Sequence, residues 1–289
     1  MANPNFERLN ARIRAAGADW IAGETPYSKY HGTKRGNILL GLALTPEAAF
    51  ESLSDTRSND IQMMAAAPPI LPTNIDWRSH NSGNWVTSVK DQGDCGSCVA
   101  FATVATMESR ALIRENKPGA NYDLSEAHLF YCGTPNSCAR GWQPKLALRF
   151  AEQNGIGDEQ AFPYRPGNQP CQMIPAIIRV DTPMTAATSL ARKSALQGGP
   201  VIAAFAVYDD FYSYRSGVYR HVAGNLLGYH AVCVIGYDDI RGCWIAKNSW
   251  TDRWGEQGFF NIRYGECGID TQFPFDYPRD VDLLGNTIP

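Results

Sequence analysis

The chain has 289 residues, 44% of them hydrophobic and 19% charged, with 26 basic against 29 acidic side chains and a formal net charge of −3. That balance, with no run of Lys or Arg, excludes the concentrated basic face by which a nucleic-acid protein meets phosphates. The longest apolar runs, such as 201–207, fall far short of the ~18–20 residues a membrane-spanning helix needs, and the length is sufficient to bury a core without help from disulfides or metals.

Residues 1 to about 68 contain no cysteine and are too few to hold a core of their own. Phe6, Leu9 and Ile13 recur at helical spacing and predict a short amphipathic helix. The opening MANPNFERLNARIR has basic residues but no apolar stretch of the kind that forms a secretory leader. A turn-rich stretch, AGETPYSKYHGTKRGN, leads to the apolar ILLGLAL; its basic HGTKRG cluster reads as a solvated turn. Between Ser52 and Met64 comes a polar segment, followed by AAAPPILP, a composition expected of an exposed, protease-accessible connector. A boundary is placed there, giving an N-terminal part over 1–68 and a second part over 69–289.

The second part begins helical. From Cys98 to about Glu115, apolar residues at 101, 104, 105, 107 and 112 trace a buried stripe. Ser125 is the expected N-cap of a second helix, with Glu126 in its first turn, and WQPKLALRFAEQNG predicts a third helix closed by Asn154 and Gly155. After Gly199 the pattern changes to short β-type runs, PVIAAFAV, HAVCVIGY, CWIAKNSW and GFFNIRYG, separated by Gly and Asp. The fold class expected is α+β, with a helical part over about 85–185 and a β-rich, antiparallel barrel-like part over about 186–275.

Eight cysteines all lie beyond residue 94. Cys95, Cys132, Cys138 and Cys171 stand in loop-like surroundings where disulfides are common, whereas Cys233 and Cys243 lie in apolar runs and read as buried free thiols. In DQGDCGSCVAF, Cys98 opens a helix, where unpaired N–H groups and the helix dipole lower a thiol's pKa and favour the nucleophilic thiolate. A nucleophilic thiol needs a base, and the base a third group that orients it. His230 at the start of one strand and Asn248 at the end of another supply both types. His31, His80, His128 and His221 lack such company.

Taken together, DWR at 76–78, DQGDCGSCVAF, LSEAHLFYC, SCARGW, FPY at 162–164, GGP at 198–200, HAVCVIGY and KNSWTDRWGEQGFF stand in one order, and the chain resembles the papain-like cysteine peptidases from Leu71 to about Phe275. The resemblance implies that Cys98 is the nucleophile, His230 its general base and acid, and Asn248 the residue orienting His230. Trp250 would shield the His–Asn contact, and Gln92 would donate to the oxyanion beside the Cys98 backbone N–H. It pairs Cys95 with Cys138 and Cys132 with Cys171, leaving Cys98 free; Cys267 matches a cysteine whose usual partner is missing here. Substrate would be bound by Gly141, with a second specificity pocket lined by Trp142, Ala204, Gly228 and Gln272. Lacking a carboxylate, that pocket is expected to prefer apolar side chains. No metal or organic cofactor is implied, and the expected partners are peptide or protein substrates, with no nucleic acid and no membrane, for an enzyme acting as a monomer.

Two departures from the family pattern stand out: Val99 where Trp usually follows the nucleophile, and Ala139-Arg140-Gly141 where Asn-Gly-Gly is usual. WIAGETPYS with the later Leu39 to Gly41 is similar to the short pro-segment of cathepsin B, with Trp20, Ala22 and Gly23 on matching positions, and implies a zymogen whose own N-terminal part occupies the cleft. A helix and FPY fill the stretch between Cys138 and Cys171, leaving no room for cathepsin B's occluding loop, so an endopeptidase is expected rather than a peptidyl dipeptidase. The expected disulfides imply a secreted, periplasmic or lysosome-like location. The same residues also admit three alternatives: a thioredoxin-like Cys95/Cys98 redox pair, a zinc site on Cys95, Cys98, Cys132 and Cys138, and an inactive family member serving as a binding module.

Overall fold

The computed structural model describes residues 4–30, 40–43, 70–134 and 138–285. The connector at 45–69, the HGTKRG turn and His31 lie outside the described residues, and of ILLGLAL only 40–43 is described.

Helix α1 (Pro4–Ala15) buries Leu9 and Ile13, with Phe6 half-buried. The Asn10 side chain meets the backbone of Ala22 twice, donating to its carbonyl and accepting from its N–H at 2.9 Å each, and so folds the chain back onto strand β1 (Ile21–Ala22). A short strand, β2 (Asn74–Asp76), opens the larger body. Helix α2 (Cys98–Glu115) follows, with every side chain from Cys98 to Leu112 buried. Its small residues Ala100, Ala102 and Ala105 let neighbours approach, and Thr103 and Thr106 return their hydroxyl protons to the carbonyls of Val99 and Ala102, so that two buried polar groups are satisfied within the helix. Asn116, left-handed at φ 53°, ends it.

Helix α3 (Glu126–Gly133) is capped by the Ser125 side chain, which accepts from His128 N. Helix α4 (Pro144–Asn154) starts with Pro and stops at Gly155, and both α3 and α4 pack against α2. Strands β3 (Ile178–Val180) and β4 (Pro183–Ala186) lead to helix α5 (Ser189–Gln197), capped by Thr188. The remaining strands are β5 (Val201–Tyr208), β6 (Tyr214–Ser216), β7 (Val218–Tyr219), β8 (Leu226–Asp238), β9 (Cys243–Lys247), β10 (Phe259–Arg263), β11 (Phe275–Pro278) and β12 (Val281–Leu283).

The main sheet runs β4-β11-β5-β8-β9-β10-β7 with β2 added on β8, and it does not close among the described residues. Its pairs are antiparallel except β10 with β7. Two crossings tie the halves together: β2 reaches over to β8, and β12 returns to pair with β3. Arg110 of α2, buried, adds a third tie by donating to the carbonyls of Ala195, Gly199 and Pro200. Disulfides join Cys95 to Cys138 and Cys132 to Cys171, while Cys98, Cys233, Cys243 and Cys267 are free.

Below α2 lies a buried ionic group. Lys90 Nζ sits 3.1 Å from Glu108, 2.8 Å from Glu126 and 2.7 Å from Asp123, so one ammonium is shared by two buried carboxyl groups and a more exposed one, and burial raises the Glu126 pKa to about 8.

Candidate active site

Cys98, the first residue of α2, is fully buried and faces the middle of β8. Ala231 N–H donates to its Sγ at 3.4 Å across 133 residues of sequence. His230, the residue before, is equally buried, and its Nε2 meets Asn248 Oδ1 at 2.8 Å. Ser249 N–H also donates to that oxygen at 2.9 Å, which orients the Asn248 amide. The other ring nitrogen, His230 Nδ1, is buried and has no hydrogen-bond partner. One imidazole edge is thus anchored while the other stays available for a proton. Trp250 packs at 4.8 Å from the His230 ring and is itself enclosed by Tyr212, Phe211 and Trp254, which keeps water from the His–Asn contact.

The expectation of a depressed thiol pKa does not describe this state. Burial pushes the Cys98 thiol up to about 11, outweighing the backbone N–H groups of Ala231, Gly41, Val99 and Cys98 that favour the thiolate. Burial likewise pulls His230 down to about 4, against the opposing bond to Asn248. Here both groups are neutral at pH 7. Dehydration wins over the helix N-terminus because the site is covered.

The cover is residues 40–43. Gly41 lies so close that a Cβ there would stand 1.9 Å from Gly96 O, and one on Gly141, which is left-handed at φ +66°, would stand 2.0 Å from Gly41 O. Only glycine fits either position. Trp142 N–H donates to Gly41 O at 2.8 Å and Ala43 N–H to Trp142 O at 2.9 Å, a parallel bridge that seats Leu42 on the Gly141–Trp142 edge. Leu42 N–H reaches Tyr229 O at 3.4 Å, and Gln143 Nε2 donates to Ala43 O at 3.1 Å. Leu40 lies over Gly228, where a Cβ would meet its Cδ1 at 3.1 Å.

Gln92 is fully buried, with Nε2 donating to Cys95 O at 2.7 Å and Oε1 accepting from Ser249 Oγ at 2.7 Å, so both ends of its amide are oriented. Ala204 is buried and pairs with Ala231 across β5 and β8. Gln272 is exposed and packs on Gly268, and its described contacts do not bring it to Gly228. Arg140 is exposed on the turn that leads to Gly141.

The N-terminal segment docks along β6 and the loops beside it. Strand β1 pairs antiparallel with β6, Trp20 Nε1 donates to Arg220 O at 2.9 Å while its ring packs on Tyr219 at 5.2 Å, and Gly23 N–H donates to Ser213 O at 2.8 Å. Thr25 Oγ1 donates to Tyr212 O at 2.6 Å, and Tyr27 donates to Asp91 Oδ1 at 2.7 Å with its ring 5.3 Å from Trp250. Sequence reasoning found Trp20, Ala22 and Gly23 but gave no role to Thr25 and Tyr27, which lie in the same WIAGETPYS motif, to Asp91, which opens DQGDCGSCVAF, or to Tyr229 beside His230. Ser249 was missed too, although it lies inside KNSW between two residues that were singled out.

The redox and zinc alternatives lose their ligands here, because Cys95, Cys132 and Cys138 are all in disulfides.

The sequence profile of the papain family cysteine proteases matches residues 71–276. The chain is 32% identical over 226 residues to cysteine proteinase 1 of Entamoeba histolytica, covering 74% of this chain and 70% of that one. It is 33% identical over 246 residues to pro-cathepsin H of Mus musculus, covering 79% and 71%. A solved structure of digestive procathepsin L 3 from Tenebrio molitor larval midgut superposes with a TM-score of 0.74 at 25% identity, covering 95% of this chain and 87% of that one.

Proposed function

The chain belongs to the papain family of cysteine proteases, and from that premise we propose that it is an endopeptidase zymogen in which residues 1–68 form an inhibitory pro-segment and 69–289 the peptidase. Cys98 attacks the scissile carbonyl, and the oxyanion is received by the Gln92 side-chain amide and the Cys98 backbone N–H. Losing one such donor typically costs ~3–4 kcal/mol of barrier. His230, oriented by Asn248 and shielded by Trp250, passes a proton from the thiol to the leaving amine, and water then hydrolyses the Cys98 thioester. The single observation that carries this reading is the arrangement of His230, anchored at Nε2 by Asn248 with Nδ1 unpartnered, on the residue next to the one whose N–H meets Cys98 Sγ.

Substrate backbone is held by the Gly141–Trp142 edge, and the second specificity pocket is formed by Trp142, Ala204 and Gly228. Leu40 over Gly228 supports an apolar preference there, since no carboxylate stands among these residues. The two disulfides are compatible with a secreted or lysosome-like location.

The test follows intact mass over time in mildly acidic, reducing buffer for wild type beside Cys98→Ser. Wild type is expected to shed a fragment ending between Ser52 and Leu71 and then to cut an internally quenched peptide blocked at both ends, while Cys98→Ser does neither. Cleavage by Cys98→Ser would remove Cys98 as nucleophile, and cleavage of free-ended peptides alone would remove the endopeptidase assignment.

A further inference from the structure

We propose that Tyr164 is the positioning residue that sets the spacing between the two oxyanion donors, Gln92 and the Cys98 N–H, through a chain of hydroxyl groups running from Ser97 to the Gln92 carbonyl. It rests on the reading of Cys98 as nucleophile. Gln92 and Cys98 are joined through a loop with glycines at 93 and 96; the disulfide and the Gly96 N–H bond to Cys138 tie its middle, and the Tyr164 link spans its two ends.

Tyr164 Oη lies 2.8 Å from Gln92 O and 2.7 Å from Ser97 Oγ. A carbonyl carries no proton, so the single phenolic hydrogen goes to Gln92 O and the Ser97 hydroxyl must donate to Tyr164. Both directions are therefore set, and each bond polarises the next. Ser97 stands at the N-cap of α2, where a Ser side chain ordinarily accepts from the helix's own first amides, yet it makes no capping bond. Its hydroxyl is drawn to Tyr164 instead. Burial raises the Tyr164 pKa, so the phenol remains a donor throughout the working pH range.

Tyr164 is in turn held from three sides. Phe101 meets its ring edge-on at 4.8 Å, Tyr131 stacks on it at 6.0 Å, and its N–H donates to Glu159 Oε1 at 2.6 Å. From the far side, Gln92 N–H donates to Ser249 O at 3.0 Å, so the main chain at Gln92 is gripped between the KNSW segment and Tyr164. One hydroxyl thereby links the main chain under one oxyanion donor to the residue preceding the other.

Tyr164→Phe keeps the ring and removes the link. The full chain is activated until its rate is constant, active sites are counted with an irreversible thiol titrant, and kcat and KM are measured on a peptide amide beside the rate of Cys98 alkylation by iodoacetamide. Displacement at the iodoacetamide carbon develops no oxyanion, so it reports the nucleophile alone. Tyr164→Phe is expected to lower kcat about tenfold, less than outright loss of a donor, with KM and the alkylation rate and its pH profile unchanged. Ser97→Ala should lower kcat less, and the double variant no further than Tyr164→Phe. An unchanged kcat, an alkylation rate that falls in step with kcat, or losses that multiply in the double variant would each overturn the proposal. Should Tyr164→Phe not fold, Ser97→Ala decides by the same readouts. Failure of iodoacetamide to label Cys98 in wild type would instead bring down the nucleophile assignment, a result distinct from a normal kcat in Tyr164→Phe.

Discussion

Residues 70–285 are cross-linked twice by disulfides and carry a helix buried from Cys98 to Leu112 beneath a many-stranded sheet. The N-terminal segment has no cysteine, and among its described residues there is one α-helix, which buries Leu9 and Ile13, and a two-residue strand. It is held by discrete contacts: Trp20 on Tyr219, Thr25 on Tyr212 O, Tyr27 on Asp91 and Gly41 between Gly96 and Gly141. The body's stability is spread over a core, whereas the cover's grip is concentrated in a few side chains. Single substitutions should therefore open the cleft of this cysteine peptidase zymogen without unfolding the body. The amides of Ala43 and Trp142, both hydrogen-bonded across the cleft, report that opening by hydrogen exchange in the Cys98→Ala chain, which cannot process itself.

The largest effect is expected at Trp20, which is 2% exposed and contributes both a packed ring and a bond to Arg220 O. Truncating such a side chain to Ala typically costs ~3–5 kcal/mol. Protection at β1 should fall about 100-fold or more in Trp20→Ala, while amides of α2 keep theirs. Equal loss in α2 would mean that the segment and body form one cooperative unit, and the contrast drawn above would be wrong.

Acidification comes next. In the covered site His230 is held near 4, against an ordinary value of 6.5. A group whose pKa is depressed in the closed form adds stability to closure fully above 6.5, and loses it as pH falls from 6.5 toward 4 because only the open form takes up the proton. The Cys98 thiol, pushed up to about 11 by burial, stays neutral in the closed form over that interval. Protection of Trp142 N–H, corrected for intrinsic exchange, should drop on the order of 10-fold between pH 7 and pH 5. The same slope in His230→Gln would assign the effect to other groups.

Much of the frame was legible because its signals are local. The apolar stripe from 98 to 115 gives α2 with its bounds, Ser125 caps α3 as its sequence requires, and Asn154–Gly155 closes α4. The union of Cys98 with His230 and Asn248 could be reached only through the family resemblance, since β8 brings Ala231 to Cys98 across 133 residues. The protonation state escaped for a related reason. The helix N-terminus that favours a thiolate is written at 97–98, but the dehydration that opposes it is the burial of Cys98 in the folded chain, which no local pattern records. Thr25 and Tyr27 lie within WIAGETPYS, but nothing in that motif names the partners they meet, Tyr212 O and Asp91.

Gly41 tests how closely the cover must approach. A Cβ at 1.9 Å from Gly96 O meets backbone on a loop tied down by Cys95 N–H to Gly93 O, Gly96 N–H to Cys138 O and the Cys95–Cys138 disulfide, so the segment has to move instead. Overpacking of this kind costs ~1–3 kcal/mol, and Gly41→Ala should speed exchange at Ala43 and Trp142 about 10-fold while β1, anchored separately by Trp20, is unaffected. Loss of protection at β1 as well would mean that the cover lifts as one piece.

The smallest effect is expected at Tyr27. Its hydroxyl bond to Asp91 is part-exposed, and removing one such bond to a charged acceptor costs ~1 kcal/mol. Tyr27→Phe keeps the ring on Trp250 and should change exchange at Ala43 by about fivefold or less. Because Asp91 Oδ1 also accepts from Gly93 N–H at 2.9 Å and Asp91 bridges to Trp250, the carboxylate keeps an orientation without Tyr27, and proteolytic activity after activation should be unchanged. A loss of activity in Tyr27→Phe would mean that the segment's contact at Asp91 shapes the Gln92 loop for catalysis as well as covering it, and the division between a removable cover and a self-sufficient body would have to be redrawn at that residue.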